Sequence, residues 1–199
     1  MMKLPRSFYT RSALVVAPEL LGKLIVRRLG SSVLKGTITE VEAYMGAIDP
    51  ASHAFRGQTP RNEVMFREGG RLYVYFTYGM HYCANVVTGI AERAEAVLIR
   101  SVVPREGIET MIEYRSASGK TVKHAHISDG PAKFCQAFGI GRSDNGTDLL
   151  ENDIFLEDAP PVPSRLIHRS ERIGISVGKE HLWRFFIPPD TAAKMYSVK

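Results

Sequence analysis

Glu40, Glu42 and Tyr44 fall at every second position of "VLKGTITEVEAY" (33–44), a stretch rich in Val, Ile and Thr. Such a stretch reads as a strand, on which side chains alternate between faces. Ile38, Glu40, Glu42 and Tyr44 would share one face, with Thr37, Thr39, Val41 and Ala43 on the other. Two carboxylates and a tyrosine on one face suit proton transfer. They equally suit an edge strand that shows ordinary charges to solvent. If Glu42 were recessed in an aromatic-walled pocket, desolvation would raise its pKa toward the range useful to a general base.

A second group lies in "RLYVYFTYGMHYCANVV" (71–87), which holds Tyr73, Tyr75, Tyr78 and Tyr82, four of the chain's eight tyrosines. A turn must fall around "YGM", where Gly79 can take a positive φ. With a three-residue loop over 78–80, residue 77 faces 81, 75 faces 83 and 73 faces 85. Tyr73, Tyr75, Cys83 and Asn85 then share a face. A tyrosine plate beside an asparagine amide can stack on a base and read its edge. Hairpin tips usually carry Asn-Gly or Asp-Gly. Here Tyr78 and Met80 flank the glycine, so the tip either folds back onto the protein or acts as an apolar wedge between the bases of a duplex. A third candidate is Arg100, a charge inside the apolar strand "AVLIRSVV". Burying it unpaired is expensive, so it is expected to hold an acidic neighbour, a phosphate or a bound water.

The elements that must position these groups are readable in outline. "SALVVAPELLGKLIVRR" predicts a short helix ending near Gly22 and a strand through Ile25 and Val26. "MGAIDPASHAFRGQ" reads as a loop. Thr59 as N-cap with Pro60 at the first helical position predicts a helix over "TPRNEVMFRE", stopped at Gly69-Gly70. "EAVLIRSVV" (95–103) predicts a strand ended by Pro104, and "REGIETMIEYRSA" a helix. A further helix opens at Ser128 to Pro131 and ends at Gly139. "RIGISVG" and "WRFFI" read as late strands. Helices and strands mix without regular βαβ alternation, which favours an α+β fold on a largely antiparallel sheet.

With 199 residues, 44% hydrophobic and 24% charged, the chain has the composition of an ordinary soluble globular protein. One domain over 1–199 is expected. No apolar run reaches membrane-spanning length, and the N-terminus lacks the pattern of a secretory signal. Cys83 and Cys135 are too few for a disulfide framework, so reduced thiols are expected in a cytosolic or nuclear compartment. Residues 1–100 hold 13 Lys/Arg against 8 Asp/Glu, whereas 101–199 hold 13 of each. The basic excess therefore sits with the tyrosines. That suits a polyanion-binding face, and also a plain solvated surface. No lysine occurs between Lys35 and Lys120; the eight cations of that stretch are all arginine, whose planar fork suits phosphates and stacked bases.

Several signatures fail. "GKT" (119–121) lacks the glycine five residues before Gly119 that a phosphate loop requires, and a helix precedes it. No C-x-x-C occurs, which excludes the zinc-deaminase pattern. "HYC" and "HAH" lack partners at ligand spacing. No metal and no cofactor are assigned.

Taken in order, "ELLGKLIVRR", "EVEAYMGAIDPASHAFRGQTPRNEVMF", "GRLYVYFTYGMHYCANVV", "VLIRSVVPREGIETM", "DGPAKFCQAFGI" and "RIGI" resemble the alkyladenine (3-methyladenine) DNA glycosylases over most of the chain. The combination of E-A-Y, T-P-R-N and Y-V-Y-x-x-Y-G-M-x-x-x-x-N carries the resemblance. It implies a curved antiparallel sheet with flanking helices and a protruding hairpin. It also implies a monofunctional enzyme that flips alkylated or deaminated purines out of duplex DNA. These are purines of the 3-methyladenine, 7-methylguanine, hypoxanthine and ethenoadenine class. Water then cuts the N-glycosidic bond and an abasic site remains. Glu42 matches the general base, Arg100 the arginine beside the flipped nucleotide and its water, and Tyr44 and Tyr75 the aromatics that sandwich the base. His53 matches the pocket histidine, and Asn85 the residue that crowds the 2-amino group of guanine. Tyr78 matches the wedge, with Met80 and His81 beside it in the minor groove. Tyr73 and Tyr82 are left as packing or groove surface.

The lysine gap fits this chemistry, because bifunctional glycosylases need an amine for a Schiff base and the pocket segment has none. The expected partner is double-stranded DNA with damaged purines, bound by a monomer without a membrane. The expected site is the cytoplasm and nucleoid of a bacterium or the nucleus of a eukaryote. Two rivals remain: a non-catalytic module for damaged or single-stranded nucleic acid, for which Glu42 would have no use, and a metal-dependent nuclease on Glu40 and Glu42.

Overall fold

The computed structural model describes residues 2–117, 119 and 121–196. Part of the rejected "GKT" motif, Lys120, lies outside these. Two short helices, α1 (Arg6–Tyr9) and α2 (Ala13–Leu20), precede an antiparallel pair, β1 (Leu24–Leu29) and β2 (Ser32–Met45). After a long loop come β3 (Leu72–Thr77), β4 (His81–Thr88) and β5 (Glu95–Glu106), then α3 (Ile108–Ser116) and α4 (Pro131–Ala137). β6 (Ile154–Glu157), β7 (His168–Ser170), β8 (Arg184–Phe186) and α5 (Pro189–Tyr196) complete the order. The fold is α+β.

The eight strands form one open sheet in the order β3-β4-β5-β2-β1-β6, every pair antiparallel. β2 is the spine. From Lys35 to Met45 it runs against β5, its first half also pairs with β1, and its second half pairs with β8, which brings in β7. Alternation along the strands sorts side chains onto two faces. Ile38, Val41, Ala43, Val86, Val97 and Ile99 enter the main core, where Phe134 and Phe138 of the α4 segment also pack. Tyr73, Val87 and Ala96 face a smaller cluster, closed by Ala54, Val64 and Met65 from the loop after β2. The functional side chains lie on this second face.

The strand reading of 33–44 holds except at one point. Ile38 is in the main core with Val41 and Ala43, and does not share a face with Glu40. Pairing shifts on both sides of Glu40: Ile38 faces Val102, Glu40 faces Ser101, and Val41 faces Ile99. Thr39 is thus an extra residue on β2 and Arg100 an extra residue on β5. Such bulges break period-two alternation and re-aim side chains. Here they turn Glu40 and Arg100 off the core face that Ile38 and Val102 occupy and onto the face of Glu42.

Three other expectations are corrected. β5 does not stop at Pro104 but runs to Glu106. Pro104 sits opposite Gly36 at another register shift, where its missing N–H is tolerated. The segment 59–68 is not a helix capped by Thr59. Asn62 accepts the Thr59 amide at 2.6 Å and donates to the carbonyls of His53 and Gly57 at 2.8 and 3.1 Å, leaving one tight helical turn over Glu63–Phe66. "RIGISVG" is a loop and not a strand, with Gly174 and Gly178 at φ +78° and +68°. Within "WRFFI" the strand is β8.

The three-residue hairpin loop is present. Thr77 faces His81, Tyr75 faces Cys83, and Tyr73 faces Asn85.

Candidate active site

Glu42 is fully buried on β2. Its Oε1 accepts the Ile173 backbone N–H at 2.8 Å and lies 3.1 Å from Arg100 Nη1. Its Oε2 accepts the Tyr44 hydroxyl at 2.9 Å. Burial pushes the carboxyl above its ordinary range; Arg100, the Ile173 amide and the Tyr44 hydroxyl pull it back without cancelling the rise. That direction favours a general base over a spectator charge. Arg100, bulged out of β5, also places Nε 2.7 Å from Glu40 Oε1. Its acidic neighbour is therefore present twice.

Beside this carboxylate lies a cavity of about 380 Å³, within the size range of small-molecule sites. Tyr44, His53, Tyr73 and Tyr75 supply aromatic walls, and Cys83, Asn85 and Arg100 supply polar ones. The face inferred from the hairpin register is thus a cavity wall. His53 meets Tyr75 edge-on at 4.5 Å between centroids, and its Nδ1 lies 3.0 Å from the Tyr73 hydroxyl. Tyr73 and Tyr75 are stacked at 5.5 Å. The Asn85 amide donates to the Tyr73 carbonyl at 3.2 Å, which fixes its orientation.

Burial raises the Tyr73 phenol to about 12 and those of Tyr44 and Tyr75 further, helped by Glu42 at Tyr44 and by the Cys83 thiol at Tyr75. Burial, and then the charge of Arg61, lowers His53. The aromatic walls therefore stay neutral beside Arg100 and the Glu42 carboxylate it pairs with. Glu42 does not itself line the cavity; it stands behind Tyr44, Arg100 and Ile173, which do.

The hairpin tip does not fold back. Tyr78 is 81% exposed and Met80 67%, and Tyr78 holds φ +51° beside Gly79 at +67°. His81 is half-buried, with Nδ1 out of solvent and unpartnered among the described residues. Tyr82 packs against Phe76 at 5.1 Å.

Residues 7–191 match the family model for methylpurine-DNA glycosylase, a span that contains every group just described. The chain belongs to the methylpurine-DNA glycosylase family. It is 47% identical over 188 residues to a Chlorobium phaeovibrioides protein, with 94% of each chain covered. It is 47% identical to one from Carboxydothermus hydrogenoformans, over 94% of this chain and 95% of that one. A Burkholderia lata protein is 45% identical, over 93% and 87%. All three are named, provisionally, as 3-methyladenine DNA glycosylases.

In this member of the family, sequence reasoning missed the loop that closes the site. Arg172, buried, pairs with Asp49 at 2.8 Å (Nη2 to Oδ1) and donates to the Ala43 carbonyl at 3.0 Å. Its guanidinium lies 4.6 Å from the centroid of the Tyr44 ring and 5.0 Å from that of Trp183. The clamp sets Ile173 against Glu42 and holds Tyr44 in place. Its only trace in the sequence is an arginine beside apolar residues in "ERIGI", 123 positions from its partner. Among the described residues, no group of three or more His, Cys, Asp or Glu is placed to hold a metal ion. Among the same residues, no helix is long and apolar enough to cross a membrane.

Proposed function

We propose that the protein is a monofunctional DNA glycosylase, carried by one domain over 1–199, that acts on damaged purines in duplex DNA. The observation that carries this reading is the buried Glu42–Arg100 pair at the back of a neutral, aromatic-walled cavity. Tyr44 and Tyr75 take the extruded base between them. An alkylated purine with a positive charge gains further from two electron-rich rings. Asn85, held by the Tyr73 carbonyl, crowds the 2-amino group of guanine, and His53 contacts the base from the Tyr73–Tyr75 side. Arg100 steadies the water and the nucleotide. Glu42 takes the water's proton as the N-glycosidic bond breaks, with the Tyr44 hydroxyl giving way on Oε2. The relatives' names favour 3-methyladenine as a substrate, and hypoxanthine, ethenoadenine and 7-methylguanine fit the same cavity chemistry. The protein acts as a monomer in the compartment that holds DNA.

Tyr78 is the wedge, supported by Met80 and His81. A bulky residue in the left-handed region costs about 1–2 kcal/mol, and this one is exposed as well, so the strain gives the free protein no visible return. Opening a base pair costs a few kcal/mol, much less in single strands. Tyr78→Gly relieves the backbone and removes the wedge. The variant is expected to melt at or above the wild-type temperature, and to release base from duplex at least about ten-fold more slowly, the equivalent of about 1.4 kcal/mol. Release from a single strand should change little. Equal losses on both substrates would contradict the wedge.

Borohydride trapping tests the water mechanism. With no lysine between Lys35 and Lys120, no covalent protein–DNA adduct is expected, and strands should break only after alkali. A trapped adduct, or cutting without alkali, would refute a monofunctional enzyme.

A further inference from the structure

The proposed mechanism uses Glu42 and Arg100 but leaves Glu40 unexplained. Glu40 Oε1 accepts from two arginines at once, Arg100 Nε at 2.7 Å from β5 and Arg184 Nε at 2.7 Å from β8. Arg184 also donates to Ser170 Oγ at 2.9 Å and stacks on Phe186 at 4.3 Å. Arg100 in turn reaches Glu42 through its other nitrogen. The four charges form a chain in which Arg100 is shared between two carboxylates and Glu40 between two arginines. The facing bulges at Thr39 and Arg100 exist at this point and nowhere else along 37–45. Without them the register set by Ile38–Val102 and Val41–Ile99 would still put Glu40 opposite Arg100, but on the core face of Ile38 and away from Glu42.

We propose that Glu40 and Arg184 are a positioning pair that sets how strongly Arg100 bears on Glu42, and through it how strong a base Glu42 is; the catalytic consequence rests on the glycosylase reading. Physically, Arg100 has a fixed charge to divide. Glu40 draws part of it away from Glu42 and also repels the Glu42 carboxylate, so both of its effects keep Glu42 basic. Arg184 does the reverse, because it occupies Glu40 and weakens that competition. Other groups facing Glu42 are Tyr44 on β2, Tyr75 on β3, Cys83 on β4 and the Ile173 amide. Among the described residues, none of them hydrogen-bonds to the Glu40 side chain, whose partners are Arg100 and Arg184.

A second cavity, of about 690 Å³, opens on the far side of the pair and is lined by Glu40, Arg184, His124, His126, Asp129 and Asp190. Asp129 is engaged by Lys133 at 2.8 Å and His126 at 2.7 Å. Solvent in this cavity can hydrate an amide placed at 40 or 184, so glutamine is a mild replacement there.

Because the two members of the pair oppose each other, their removal must move Glu42 in opposite directions. With Glu40→Gln, Arg100 bears on Glu42 alone, ionisation becomes easier, and the acid limb of base release moves down by about 1 pH unit, the low end for a neighbouring charge. The plateau rate falls, since a weaker base takes the water's proton less readily. With Arg184→Gln, Arg100 is drawn to Glu40 and the limb moves up.

The test is single-turnover release of hypoxanthine against pH for wild type and both variants, with carbon-13 titration of the Glu42 carboxyl in the same proteins. Opposite shifts in the titration establish the pair. Coincident curves, or shifts of the same sign, overturn it, since a general loosening of the site moves both variants alike. Should one variant fail to fold, the sign of the other decides. Opposite shifts with no base release by wild type would uphold the pair and refute the glycosylase reading. The two failures are therefore distinct.

Discussion

Glu42→Gln is expected to abolish most release of a neutral lesion while leaving binding of the lesion duplex intact. A positioned general base contributes about 10²- to 10⁴-fold, or roughly 3–5 kcal/mol in the barrier. The amide preserves the shape that Tyr44 and Ile173 hold, but it cannot take a proton. The loss depends on the leaving group. Hypoxanthine and ethenoadenine leave poorly, so they need an activated water and should show the full effect. A cationic 3-methyladenine or 7-methylguanine is already a good leaving group and should lose much less. Single-turnover rates on both lesion types check this, and an equal loss on each would mean that the substitution damages binding or folding.

The second large effect concerns stability. Asp49→Asn leaves Arg172 buried without its counter-charge, both side chains being wholly inaccessible in the native pair. Breaking such a pair typically destabilises by about 3–5 kcal/mol. For a chain of this length that corresponds to a fall of roughly 10 °C in melting temperature. Hydration would not rescue the guanidinium, because its Nε is already buried without a partner among the described residues. Activity should fall as well, at temperatures where the variant is folded, since Arg172 sets Ile173 on Glu42 and lies against Tyr44. Thermal denaturation followed by circular dichroism measures the first effect. A shift of a degree or two would show that the clamp contributes little.

What the sequence revealed depended on the range of the interaction. The β3–β4 register was readable because alternation and one glycine specify a short hairpin locally. The shared face of Glu40, Glu42 and Tyr44 was readable for the same reason. Ile38 was misplaced because a bulge leaves no mark in hydrophobic alternation. "RIGISVG" resembled a strand through its spaced Ile and Val residues, yet Gly174 and Gly178 take left-handed conformations that no strand admits. The Asp49–Arg172 clamp and the Glu40–Arg184 contact join segments more than a hundred residues apart, and Arg100 comes to Glu40 from 60 residues away. No local pattern encodes such pairs. Pro104 marks the limit of a sound rule, since proline ends strands except where a bulge asks for no N–H.

The most direct test of the central claim is chromatographic detection of free base after wild-type protein is incubated with a duplex carrying a single hypoxanthine and, separately, with methylated DNA. The account predicts free hypoxanthine and free 3-methyladenine, with strands that stay whole until treated with alkali. Tight binding of both DNAs with every base still attached would contradict it, and would make the aromatic cavity a reader of damage instead of a site that removes it.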